Sequence, residues 1–276
     1  MNLFAPLLFF ATLGLIVFAW LAGPMLLAMG RRARIRRQAF PAAWREILRR
    51  RMPAYARLPA DLQLRLKKHV QVLVAEKPFI GCSGLQMTDE MRVLIAAQAA
   101  LLLLGGQIGY FPGLRQVLVY PGAFVVERSA SDELGLTHQT RRALVGESWQ
   151  QGQVLLSWDD VVAGAADPAD GHNVVIHEFA HQLDQERGRA NGAPWLGRRE
   201  RYAGWAAVLG AEYAALRAAV ERGEAGVIDA YAASEPAEFF AVVSEHFFEQ
   251  PAALEAGHPA LYREFARYYG VDPRAW

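Results

Sequence analysis

The chain has 276 residues, enough to bury one large hydrophobic core, and a formal net charge of +1 from 29 basic and 28 acidic side chains. This near-neutral balance gives no indication that the protein as a whole binds nucleic acid. Cys82 is the only cysteine, so an intramolecular disulfide and a zinc site made of cysteines are both excluded.

The first thirty residues, Met1 to Gly30, are mostly apolar and carry no charged side chain. As a helix, they would exceed the roughly 30 Å hydrocarbon core of a bilayer. A basic run, Arg31 to Arg37, follows and places the C-terminal side in the cytoplasm by the positive-inside rule. We therefore expect residues 1–30 to anchor the chain in the inner (cytoplasmic) membrane and residues 31–276 to form a cytoplasmic domain. A soluble cytoplasmic protein with a buried helix, and a secreted protein behind a cleaved signal, are the alternatives.

Helical spacing of apolar residues predicts three helices in the first half of this domain. The first covers about residues 41–51 and is stopped by Pro53, and the second covers residues 61–76. The third begins after a candidate N-cap, Thr88, and runs to Leu104, with a second half apolar enough for a buried core helix.

Runs of β-branched and aromatic residues then predict three strands, at residues 116–120, 123–127 and 153–158. With the helices, they predict an α+β domain that is predominantly helical and contains a small mixed sheet. We expect the strand at 153–158 to lie at an edge, where an extended peptide can pair with it.

The run V-V-I-H-E-F-A-H-Q-L-D at residues 174–184 places two histidines four residues apart in an apolar segment. Asn173 as N-cap and Gly188 as C′ residue predict a helix here. On a helix, His177 and His181 lie one turn apart, about 6 Å along the axis, so one ion with bonds of about 2.0–2.1 Å can reach both rings. On a strand they would be about 13 Å apart, too far to share an ion.

This run has the H-E-x-x-H pattern of zinc hydrolases. Glu178 is placed to accept a proton from a water whose pKa a zinc ion lowers to about 7. Asp184, three residues after His181 on the same face, either orients a ligand imidazole or is an ordinary exposed carboxylate. The alternative for the motif is a pair of hydrogen-bonded histidines on a buried helix.

A catalytic zinc ion takes three protein ligands and leaves one position for water. Position 187 is Arg187, so a third histidine ten residues after the first is excluded. Further along, Pro236 and Pro251 frame a helix rich in phenylalanine, in which a glutamate is costly to bury unless it is paired or bound to metal. Glu238 on this helix is therefore the expected third ligand. The second choices are Glu245 and His246.

The H-E-F-A-H-Q-L-D run, followed downstream by E-P-A-E-F-F-A-V-V-S-E-H-F-F, resembles the Mlc titration factor A family of zinc metallopeptidases. More remotely, it is similar to the protease domain of anthrax lethal factor. Segments such as A-E-K-P-F-I-G-C-S-G-L and V-L-V-Y-P-G-A-F extend the likeness over roughly residues 39–250. The resemblance implies a zincin-like fold, with Glu178 as general base and one zinc ion bound by His177, His181 and Glu238.

The same resemblance implies an oxyanion-stabilising role for Tyr231, which matches the position of a tyrosine proposed for that role. A packed aromatic is the alternative. The family includes a soluble cytosolic member that binds a sugar-responsive transcriptional repressor, so the implied partners are a peptide or protein substrate and, more remotely, such a repressor. We expect a zinc-dependent peptidase. The rival is a membrane-tethered protein that sequesters a regulator and uses zinc as structure, but the presence of Glu178 favours the enzyme.

Overall fold

The computed structural model describes residues 4–122, 130–131, 137–138 and 152–276. The chain divides into two compact units, Met1–Phe40 and Pro41–Trp276. The strand predicted at residues 123–127 lies outside the described residues.

The first unit is formed by one long helix, α1 (Phe4–Arg37), of 34 residues. An 18-residue window within its segment Thr12–Arg37 has a mean hydropathy of 2.0, and among the described helices this is the one long and apolar enough to cross a membrane. A signal sequence or a buried helix of a soluble protein satisfies the same criterion. Large apolar side chains such as Trp20 and Leu27 are exposed along it, a surface that water disfavours.

The second unit begins with helices that largely agree with the sequence expectations. These are α2 (Ala42–Arg51), α3 (Pro53–Arg57), α4 (Ala60–Glu76) and α5 (Asp89–Leu101). The predicted N-cap is confirmed, because the hydroxyl of Thr88 accepts a hydrogen bond from the backbone N–H of Met91. However, α5 ends at Leu101 rather than Leu104, since the next residues tighten into turns with i to i+3 bonds before the glycines.

The described strands are short. They are β1 (Phe79–Gly81), β2 (Gln116–Tyr120), β3 (Ala130–Ser131), β4 (Thr137–His138) and β5 (Gln153–Ser157). Three of them form a sheet in the order β1-β2-β5 in which both pairings are parallel, so the expected mixed sheet is wrong for the described strands. Parallel pairing requires a crossover connection, and α5 provides it between β1 and β2. The strand β5 ends one residue early, because Ser157 caps the following helix.

Six further α-helices lie in the described part of the second unit. They are α6 (Trp158–Ala166), α7 (Val174–Asp184), α8 (Arg201–Glu221), α9 (Pro236–Glu249), α10 (Pro251–Gly257) and α11 (Pro259–Tyr269). Helix α9 lies in the core, with every residue from Ala237 to Glu249 buried. Its aromatic face packs on α8 and α11 through Trp205, Phe240 and Phe265, whose ring centroids lie 5.6–6.0 Å apart. The domain is therefore mostly helical with a small sheet, and α7 packs between α5, α6, β5 and α9.

Candidate metal centre

Helix α7 carries the histidine pair and begins as the sequence predicts. The side-chain oxygen of Asn173 accepts the backbone N–H of Ile176 at 3.0 Å, which satisfies one donor at the helix start. The helix ends earlier than expected, at Gln185, whose N–H bonds to the carbonyl oxygen of His181. Gly188 is therefore not the C′ residue, because the chain leaves the helix before reaching it.

Three side-chain atoms from α7 and α9 converge on one point. The Nε2 atom of His177 lies 3.1 Å from Nε2 of His181 and 3.1 Å from Oε2 of Glu238. Nε2 of His181 lies 3.6 Å from the same carboxylate oxygen. Two atoms bound to one zinc ion at about 2.0–2.1 Å with tetrahedral angles are separated by about 3.3 Å. In the described part of the chain, these three residues are the group placed to share a metal ion, and their spacing fits one ion.

The charges in this cluster are those expected of a metal site. Burial lowers the pKa of His177, but hydrogen bonds with Glu238 and Glu245 outweigh it and raise that pKa to about 10. Burial, together with the charge on His177, lowers the pKa of His181 to about 4. Burial acts against ionisation of Glu238, but the two histidines hold the pKa of its carboxyl far below the usual range. Because a metal binds neutral imidazole, it would displace the proton held between His177 and the carboxylates.

Glu245, a second-choice ligand in the sequence, supports His177 from behind. Its Oε1 lies 2.7 Å from Nδ1 of His177, and its Oε2 accepts the backbone N–H of Asn173 at 2.5 Å. A carboxylate bonded to Nδ1 leaves Nε2 as the coordinating atom and fixes the ring plane. The other second choice, His246, has its Nδ1 2.9 Å from the carbonyl oxygen of Val242 and lies outside the ligand group.

Two further residues predicted for catalysis flank the cluster. Glu178 is almost wholly buried, with 1 % of its surface exposed, and its charge acts on the adjacent His177. Tyr231 lies in a short 3-10 turn, Ala230–Ala233, and its ring centroid is 6.3 Å from that of His177. Tyr231 is 54 % exposed, so its side chain is not part of the buried core.

Asp184 has a role that neither sequence expectation describes. It is buried and accepts three backbone N–H groups, from Asn191 at 2.8 Å, Gly192 at 2.7 Å and Ala193 at 2.9 Å. Burial raises the pKa of this carboxyl to about 6, although the three hydrogen bonds act in the opposite direction. Asp184 therefore anchors a loop rather than an imidazole. The R-A-N-G-A turn sequence after it is the signal that could have indicated this.

The loop held by Asp184 packs against the start of α9. Gly192 has a φ of +76°, and a Cβ atom there would lie 2.5 Å from the carbonyl oxygen of Pro236. Its own carbonyl oxygen accepts the indole N–H of Trp205 at 2.9 Å. Pro236 is the first residue of α9, so this contact lies immediately before Glu238. One carboxylate thus ties the end of the histidine helix to the start of the glutamate helix.

Two imidazoles from one helix and a carboxylate from another, with a glutamate beside the first imidazole, form the type of site found in metallopeptidases. Residues 27–270 match the model of the glucose-regulated metallopeptidase family M90, and the chain belongs to that family. The resemblance inferred from the motifs is thereby confirmed.

Individual relatives cover most of the chain. A Mlc titration factor A from Enterobacter sp. is 38% identical over 233 residues, which are 83% of this chain and 86% of the relative. The Mlc titration factor A of Klebsiella pneumoniae is 38% identical over 227 residues, 81% of this chain and 84% of the relative. An uncharacterized protein from Synechocystis sp. is 39% identical over 262 residues, 95% of this chain and 94% of the relative.

Proposed function

We propose that the chain is a zinc-dependent peptidase in which one zinc ion is held by His177, His181 and Glu238. The observation that carries this proposal is the spacing of 3.1–3.6 Å between three donor atoms brought together from two buried helices. Membership of a metallopeptidase family supports it independently. A bound zinc ion supplies Lewis acidity, which polarises the scissile carbonyl and lowers the pKa of the attacking water.

The protein's own residues would manage the protons and the developing charge. Glu178, as general base, takes a proton from the attacking water and passes it to the leaving amine. The phenol of Tyr231 donates a hydrogen bond to the oxygen that becomes negative as the carbonyl is attacked. Glu245 keeps His177 in the orientation that ligation requires. The strand β5 packs against α7 and is an edge among the described strands, so an extended substrate can pair with it.

Substitution of the base separates catalysis from metal binding. With the full chain in detergent micelles and a quenched fluorescent peptide library, Glu178→Gln should retain about one zinc ion per chain and lose about 10²–10⁴-fold in turnover. Tyr231→Phe should lower kcat by about 10²–10³-fold with little change in KM. Glu264→Gln, at a pair with the exposed Arg267 and outside the metal-ligand cluster, is the matched control and should match the wild type. Full activity of metal-loaded Glu178→Gln would refute the proposal.

The alternative is a binding function, favoured by the relatives named Mlc titration factor A, a name that refers to a regulator. On this hypothesis the chain sequesters a transcriptional repressor at the membrane and zinc is structural. Pull-down of candidate repressors with wild type and Glu178→Gln distinguishes the two. Equal capture, with no peptidase activity in the wild type, supports the binding function.

We further propose that residues 1–30 anchor the chain in the cytoplasmic membrane and leave residues 31–276 in the cytoplasm. The apolar Thr12–Arg37 segment and the arginines at its end support this orientation. Membrane fractionation with protease protection tests it. A domain digested from the outside of intact cells, or an N-terminus trimmed in the mature protein, would contradict it.

A further inference from the structure

A cavity that is separate from the metal-ligand cluster lies at the N-terminal end of α7. It has a volume of about 250 Å³. Much of its wall is apolar and comes from several elements, namely Met52, Leu101, Ala165, Phe248, Pro273 and Trp276. Within the described part of the chain, none of the residues assigned above to metal binding or catalysis lines it.

Two buried acceptor atoms in the wall lack a hydrogen-bond donor among the described residues. The side-chain amide of Gln98 uses its nitrogen to donate to the carbonyl oxygens of Leu94 and Val161, both at 3.2 Å, which leaves Oε1 without a donor. The carboxylate of Glu249 accepts from Nδ2 of Asn173 at 2.9 Å through Oε1, which leaves Oε2 without one. Leaving a buried acceptor without a donor is unfavourable, so a donor from outside the chain is expected.

The two acceptors belong to neighbouring parts of the wall. Gln98 is tied to Val161 of α6, and Asn173 donates to the carbonyl oxygen of Gly164, one turn further along the same helix. Nδ2 of Asn173 thereby donates both of its hydrogens, one to the carbonyl oxygen of Gly164 and one to Oε1 of Glu249. The buried end of the cavity therefore presents acceptors and offers no side-chain amide hydrogen to a ligand.

The acidic groups at this end also favour a cation. Among the ion pairs of the described residues, none includes Glu249, although only 8 % of it is exposed. Burial raises the pKa of its carboxyl to about 8, against the hydrogen bond from Asn173, and the adjacent carboxyl groups of Asp170 and Glu245 also raise it. Below this pKa the carboxyl holds a proton, which it shares with Asp170, and a cation from outside the chain can take the place of that proton. Arg57 and Arg274 also line the cavity, but both are exposed, and the guanidinium of Arg274 pairs with Asp272.

We propose that this cavity binds a small primary ammonium compound with an apolar body. The ammonium group donates to Oε1 of Gln98 and to Oε2 of Glu249, and the apolar body lies against Leu101 and Phe248. A primary ammonium has three hydrogens and a positive charge, so it can serve both acceptors. A hydroxyl has one hydrogen, and a carboxylate has none. The site touches Asn173, the N-cap of the histidine helix, which makes it a candidate effector site whose existence does not depend on peptidase activity.

Calorimetric titration of the full chain with three matched probes tests this at pH 8.5, above the pKa of about 8 of Glu249. The probes are 2-phenylethylamine, 2-phenylethanol and 3-phenylpropionate. The amine should bind once per chain and at least tenfold more tightly than the alcohol, and the acid should not bind. Glu249→Gln, which retains an acceptor for Asn173, should weaken amine binding at least tenfold and leave alcohol binding unchanged.

Two further variants guard against loss of folding. Gln98→Leu should also weaken binding of the amine. Ala165→Leu fills the cavity and should abolish binding of both the amine and the alcohol, provided that a cooperative melting curve shows the variant to be folded. Glu264→Gln is the control and should bind as the wild type. No saturable binding of the amine would mean that the cavity holds water only, and equal affinity for amine and alcohol would mean that it does not recognise the ammonium group; either result would overturn the proposal. So would amine binding that Glu249→Gln does not change.

Discussion

Replacing Glu245 with glutamine tests how strongly a side chain behind the ligands controls metal binding. In the wild type its two oxygens contact Nδ1 of His177 at 2.7 Å and the backbone N–H of Asn173 at 2.5 Å. Glutamine keeps one oxygen and replaces the other with an NH₂ group. At one of the two contacts a hydrogen-bond donor then faces another donor, and that hydrogen bond is lost. It also removes the negative charge that increases the basicity of His177. Loss of such a partner lowers metal affinity about 10–100-fold, or about 1.4–2.7 kcal/mol.

The assay is competition for zinc with a chromogenic chelator, followed by kcat/KM on a peptide. The variant Glu264→Gln, outside the metal-ligand cluster, is the control and should bind zinc as the wild type. Melting curves of the zinc-free proteins separate a general loss of folding from a local loss of affinity. If Glu245→Gln stays folded and binds zinc within twofold of the wild type, the contact to Nδ1 does not hold the ring and the reasoning is refuted.

Three comparisons of variants test the surrounding structure by urea unfolding. Gly192 and Gly197 have φ angles of +76° and +78°, but only at Gly192 would a Cβ atom meet the carbonyl oxygen of Pro236, at 2.5 Å. Gly192→Ala should therefore lose at least about 2 kcal/mol more stability than Gly197→Ala, and equal losses would contradict the tight contact. Asp184→Asn leaves one oxygen for three N–H donors and should lose about 2–3 kcal/mol at pH 8; an unchanged midpoint would count against the anchoring role. The folded-state pKa of Glu249, about 8, lies above its ordinary 4.5, so the folded form binds more protons and the wild type loses stability as pH rises between these values. Relative to Glu249→Gln, this loss should reach at most about 4–5 kcal/mol between pH 4.5 and 8.5, and parallel stability curves would refute it.

The parts of the site that the sequence predicts correctly depend on local rules. The helix period places His177 and His181 on one face, and Asn173 caps their helix through a bond to a residue three positions away. Glu238 is predicted as a ligand because burying a carboxylate in a phenylalanine-rich helix is costly unless it is paired or bound to metal. The structure brings Glu238 to the two imidazoles.

The parts that the sequence does not predict depend on contacts between distant segments. The bond between Glu245 and Asn173 spans 72 positions, and no local pattern indicates that α9 presents its second carboxylate to the start of α7. Asp184 lies on the expected helix face, but the loop that folds back onto it decides its role. Parallel strand pairing likewise depends on how α5 crosses the sheet, which the alternation within each strand does not encode.

The boundaries missed in the sequence have a common physical cause, which is a competing local bond. Ser157 uses its side chain as a cap, so Trp158 starts a helix instead of ending a strand. After Leu101, i to i+3 bonds replace the helical ladder although the residues remain apolar. Composition alone does not distinguish these endings from a continued helix or strand.

Anomalous diffraction at the zinc absorption edge, from crystals of the zinc-loaded wild type, tests the central claim most directly. The proposed site predicts one strong peak at about 2.0–2.2 Å from Nε2 of His177, Nε2 of His181 and a carboxylate oxygen of Glu238. A peak that lacks Glu238 among its neighbours, or one located away from the two imidazoles, would contradict it.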